Sequence, residues 1–169
     1  MINKYINFCR LIPVFCSLCL IGASAWGQSG SSWRSFLVGD WKGSGSFASG
    51  KKIEATLAFA PCLDNAWLRQ SYQDVPPNRY AATALWSLDS TTGSITAHTF
   101  DNFGGYRPFK SVDVTDTRLI LLYRKEGTIA FFQRFIYDKI AKDQMKLTYE
   151  TSRDSVAWKL GDSLVFHRN

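Results

Sequence analysis

The sequence predicts an all-β protein: an antiparallel up-and-down β-barrel of about ten strands with a short N-terminal helix. Three observations carry this. Segments rich in β-branched and aromatic residues recur about every dozen positions, with strict period two in Lys52-Ile53-Glu54-Ala55-Thr56-Leu57-Ala58-Phe59. Turn-forming clusters separate them at Ser49-Gly50, Pro61, Pro76-Pro77-Asn78, Asp89 to Gly93, Asn102 to Gly105, Glu126-Gly127 and Gly161-Asp162. Several segments are apolar on both faces, which suits a closed barrel better than a half-exposed sandwich. Along Thr128 to Tyr137, for example, Ile129, Phe131, Phe135 and Tyr137 alternate with Ala130, Phe132, Arg134 and Ile136.

Composition is consistent with one domain. The chain has 169 residues, 46% of them apolar, 15% aromatic and only 20% charged. A disordered chain, a coiled coil and a multidomain enzyme are excluded.

At the N-terminus, Lys4 and Arg10 precede an apolar stretch from Leu11 to Ile21, followed by small residues. Residues 1–27 therefore read as a signal peptide, cleaved after Ala25 or Gly27. The apolar stretch is short for a membrane span, so no stable membrane anchor is expected. Neither Cys16 nor Cys19 follows a small residue, so a lipid anchor is not expected either. Removing the leader leaves Cys62 as the single cysteine and rules out an internal disulfide. Without a neighbouring histidine, Cys62 reads as a small, partly buried apolar residue.

Residues 28–38 form an N-terminal segment in which Trp33, Phe36 and Leu37 share one helical face over Ser32–Val38. The barrel domain is 39–169. Strands are expected near 40–47, 52–59, 66–73, 79–88, 94–100, 106–113, 117–125, 128–137, 144–151, 155–160 and 163–168. The last two read equally as one strand bent at Gly161. The helix, or a partner, is expected to cover part of the outer wall.

The stretch Val38-Gly39-Asp40-Trp41-Lys42-Gly43-Ser44-Gly45 places Gly-x-Trp at the start of the first strand. It resembles the calycin superfamily of lipocalin-like barrels. Its continuation is most similar to nitrobindin-type domains and to exported bacterial domains related to them. The resemblance implies that Trp41 lies across the closed end of the barrel against a basic residue of the last strand, here Arg168. Gly39 would permit the bend of the first strand. Between the first two strands the chain offers only Ala48-Ser49-Gly50-Lys51, so the two-helix lid of fatty-acid-binding proteins is not expected. A nitrobindin's haem-ligating histidine would correspond in neighbourhood to His167. If Phe166 and Arg168 point inward, however, His167 points outward.

Other chemistry is sparse. His98 and His167 are the only histidines, too few for a structural zinc site. Asp101, Asp113, Asp116, Asp138 and Asp143 all stand at turns, where aspartate bonds its own backbone. No nucleophile elbow, zincin motif, phosphate loop or dinucleotide fingerprint is present. Without the leader, 18 basic residues face 14 acidic ones with no basic stripe, which argues against nucleic acid as a partner.

The tentative ligand-binding set is Trp67, Arg69, Tyr80, Trp86, Tyr106, Phe132, Arg134, Tyr149 and Trp158, with Tyr72 a further candidate wall residue. Arg69, Arg107 or Arg134 in the lumen would favour an anionic group, Arg134 being the first choice unless an internal acid pairs it.

The resulting expectation is an exported protein, periplasmic or extracellular, that binds a small apolar or amphipathic molecule in its lumen. Three alternatives stay open: a haem-binding nitrobindin-like protein, a lumen-based enzyme of isomerase or cyclase type, and a filled barrel acting as a protein-interaction module. No catalytic residue or metal site is predicted, and no cofactor apart from the haem alternative. The oligomeric state is open.

Overall fold

The computed structural model describes residues 26–89, 91–127 and 130–169. The expected leader falls outside them, apart from its last two positions. An α-helix, α1, spans Trp26–Leu37. It begins before the expected Ser32, because the polar run from Gln28 to Ser32 carries no apolar spacing to announce it.

Ten strands follow: β1 Gly39–Phe47, β2 Lys52–Cys62, β3 Trp67–Asp74, β4 Ala81–Leu88, β5 Ile95–Asp101, β6 Tyr106–Val114, β7 Arg118–Lys125, β8 Phe131–Ala141, β9 Gln144–Ser152 and β10 Trp158–Arg168. Each pairs antiparallel with its neighbours in sequence. β10 returns to β1, closing the barrel in the order β1-β10-β9-β8-β7-β6-β5-β4-β3-β2. Side chains alternate between lumen and outer wall, as β2 shows with Ile53, Ala55, Leu57 and Phe59 all buried.

Three boundaries differ from expectation for physical reasons. β2 continues through Pro61, which had read as a breaker. Its pairing with β1 ends at Gly39–Phe59, so beyond that point only the β3 side is bonded and the missing N–H leaves no gap in the ladder. β8 runs on to Ala141, because its turn into β9 falls at Lys142-Asp143. The last two segments are the single bent strand, with the pairing to β9 shifting register between Leu160 and Asp162. A Cβ on Gly161 would meet the Tyr149 ring at 2.5 Å, so only glycine fits this bulge.

α1 lies across one mouth of the barrel rather than along its outer wall. Trp33 donates its indole N–H to the Thr115 carbonyl in the β6–β7 turn at 2.7 Å. Arg34 donates to the Asn65 carbonyl in the β2–β3 turn. Trp33 and Leu37 are fully buried by this plug. Lys139 stands 4.2 Å from the Trp33 ring centroid and 4.9 Å from that of Phe36.

The Gly-x-Trp segment lies at this same mouth. The Arg168 guanidinium stacks 4.1 Å from the Trp41 ring and donates to the carbonyls of Phe36 and Val38. Trp41 donates to the Leu37 carbonyl at 2.9 Å. Gly39 has φ of 131°, and a Cβ there would lie 2.6 Å from the Arg168 guanidinium. Beneath this seal Trp41, Phe59, Trp86, Phe109, Tyr137 and Phe166 pack the lumen solid.

Candidate functional site

The other half of the lumen is not filled. A cavity of about 390 Å³ opens at the mouth away from α1. Phe47, Ile53, Phe135 and Leu147 provide apolar walls, and Tyr72, Tyr80, Tyr137 and Tyr149 provide rings with polar tips. The floor is Gln70, which accepts the Trp86 indole N–H at 2.7 Å. A separate shallow trough on the outer wall of β1 to β4 is lined by short side chains such as Thr56, Ala58, Ser71 and Thr83, and has no comparable enclosure.

Two polar groupings line the cavity. In the first, Arg107 on β6 forms an ion pair with Asp101 and donates to the Tyr80 hydroxyl at 3.0 Å. Asp101 also accepts the backbone N–H groups of Phe103 and Gly105. It thus keeps the turn role its position implies while fixing the guanidinium. The Arg107 Nε is buried with no hydrogen-bond partner. Burial pushes the Tyr80 hydroxyl up to about 12, opposed by the nearby guanidinium.

The second grouping is a pair of carboxyls, Asp74 at the end of β3 and Asp162 just past the β10 bulge. Asp74 is only 5% exposed, and its Oδ1 has no partner. Burial raises its pKa, against a hydrogen bond from Tyr72, the Tyr80 backbone N–H and the charge of Lys51. Burial, reinforced by the Asp74 charge, raises Asp162 to about 6. The Gln133 Oε1, on another lining residue, is a third buried atom without a partner, on a side chain 9% exposed. Buried polar atoms are normally satisfied, so three unsatisfied ones around one cavity are informative.

The structure distributes the sequence-derived candidates unevenly. Tyr80 and Tyr149 line the cavity, and Tyr72 joins them. Trp86 lies beneath it, fully buried between Phe59 and Tyr137. Trp67, Arg69, Tyr106, Phe132, Arg134 and Trp158 occupy outward positions of their strands. Arg134, the first choice for a lumen cation, instead pairs with Glu150 at 2.6 Å and stacks 3.9 Å from Trp158 on the outer wall. Its inward neighbours on β8 are Gln133 and Phe135, one residue to either side. Among the described residues, the cations that line the cavity are Arg107, inward on β6, and Arg79, exposed at the mouth.

Both histidines also face outward: His98 stacks on Tyr106, and His167 is exposed beside Gln144. Asp74, Asp162 and Gln133 were not singled out from sequence. The signal for Asp74 lay in the period-two run Leu68, Gln70, Tyr72, Asp74. Asp162 could be placed inward only by knowing the bulge.

No protein-family model matches the chain, and no curated protein does. Among solved structures, it is similar to the crystal structure of Rv2717c from M. tuberculosis. The two are 14% identical, with a TM-score of 0.58 over 83% of this chain and 97% of that one. That likeness shows the fold alone.

Proposed function

We propose that this protein is an exported, lipocalin-like binding barrel that holds a small amphipathic molecule in the cavity opposite α1. The carrying observation is the half-empty lumen: apolar walls enclosing about 390 Å³, with three buried polar atoms left unsatisfied around it. A barrel filled throughout for stability would place apolar side chains there instead. The leader-like Met1–Gly27 supports export. A haem held by a lumen histidine does not fit, because His98 and His167 both lie on the outer wall.

A native mass spectrum of the protein recovered from its host's exported fraction tests this reading. A discrete non-covalent adduct is expected, lost on substituting Phe135 by Trp to fill the cavity. Identical apo spectra for wild type and F135W, in protein also unable to take up added hydrophobic probes, would overturn it.

One observation favours a second reading. An acid raised to about 6 beside another carboxyl is suited to proton transfer at neutral pH, which would make the same cavity a catalytic one. Returning the recovered ligand to fresh protein separates the two: a carrier leaves it unchanged, whereas an enzyme converts it to a product of different mass or chromatographic retention.

A further inference from the structure

We infer that the cavity selects organic cations, an amine or amidine on an apolar or aromatic body, and seats the positive group between Asp74 and Asp162. The inference rests on the binding reading above and adds the charge class of the ligand, opposite to the anion that a lumen arginine first suggests.

Charge accounting around the cavity leads there. Of the two guanidiniums on its lining, Arg107 is already matched by Asp101, and Arg79 is exposed to solvent at the mouth. That leaves Asp74 and Asp162, to which no salt bridge extends among the described residues. Lys51 lies near enough to act on Asp74, but its ammonium donates to Asn78 at the rim. Two carboxyls near each other in a largely apolar cavity repel when both are charged. A fold that only needed to pack would replace one of them, whereas a bound cation would relieve the repulsion.

A second, independent observation points the same way. The unpartnered atoms Asp74 Oδ1 and Gln133 Oε1 are both acceptors on side chains at least nine-tenths buried, so the cavity presents unmet demand for donors. The rings of Tyr72, Tyr80 and Tyr149 offer electron-rich faces to a cation, and Phe47, Ile53, Phe135 and Leu147 would clasp its apolar body. The unpartnered Arg107 Nε supplies one donor, sufficient for a hydroxyl or carbonyl elsewhere on the same ligand.

Three probes sharing one aromatic body test the charge class: 2-naphthylmethylamine, 2-naphthylmethanol and 2-naphthoate, titrated calorimetrically into the full-length mature protein. The groups facing Asp162 are Asp74 and Tyr72 from β3 and Tyr149 from β9. Arg107, Asp101 and Tyr80 lie beyond, and Lys51 and Arg79 stand at the rim. At pH 8 the amine should bind at least about tenfold more tightly than the alcohol, and the carboxylate least. The preference for amine over alcohol should fall about tenfold in Asp162→Asn and in Asp74→Asn, and should shrink in the wild type at pH 5. Equal binding of amine and alcohol, or preference for naphthoate, overturns the charge assignment and leaves the binding reading standing. If none of the three binds while circular dichroism shows an intact barrel, both fall together.

Discussion

The two ends of this barrel treat buried polar groups in opposite ways. At the end covered by α1, the Arg168 guanidinium and the Trp41 indole donate to the carbonyls of Phe36, Leu37 and Val38, and the Trp33 indole to that of Thr115. At the open end, Asp74, Arg107 and Gln133 each keep a buried atom unpaired, and Asp162 is held near another carboxyl. Both ends belong to the same ten strands, so the difference lies in the side chains and not in the sheet. The closed end contributes stability, and the open end gives some up.

The sharpest way to break this comparison is at the seal. Trp41→Ala should destabilise by about 3–5 kcal/mol in urea unfolding, through the lost indole and the cavity left beneath the helix. Arg168→Ala leaves two helix-end carbonyls bare and should cost about 2–3 kcal/mol, with naphthylmethylamine affinity unchanged in the folded protein. A fall in affinity with Arg168→Ala would mean the ends are not independent.

Substitution at the open end should have the reverse sign. Asp162 is raised to about 6 in the folded state, above its unfolded value of 3.8. Its contribution to stability is therefore fully present below pH 4 and is lost as pH rises through 6. Asp162→Asn removes that loss. Its thermal stability should match the wild type at pH 4 and exceed it by on the order of 2–3 kcal/mol at pH 8. A difference independent of pH would show that Asp162 titrates normally. The smallest effect is expected from Arg134→Ala on the outer wall: less than about 1 kcal/mol, with no change in ligand binding.

Where the sequence was legible follows the same division. Trp41 and Arg168 stood out because a Gly-x-Trp start and a closing basic residue are tied to one geometry, and strand parity correctly turned His167 outward. The lining of the open end was harder, for definable reasons. On β8 both faces are aromatic, so hydrophobic period two could not decide whether Arg134 or Gln133 faces inward. The inward position of Asp162 depends on a one-residue bulge at Gly161, which reverses the parity of everything before it in β10. Arg107 was among the arginines considered, but its partner Asp101 had been assigned to a turn alone. The turns themselves were read closely except at three places: Pro61, where the neighbouring strand had already ended, Gly161-Asp162, which is a bulge inside β10, and Lys142-Asp143, which carries the β8–β9 turn.

The pairing of β1 with β10 has a consequence in time. Trp41 lies opposite Arg168, and the Asn169 amide donates to the Asp40 carbonyl, so β1 finds its second partner only in β10, after eight intervening strands. During synthesis one edge of β1 must wait, unpaired, until β10 has been made. The barrel cannot lock shut before β10 is in place, so Trp41 and the end of α1 must wait for Arg168.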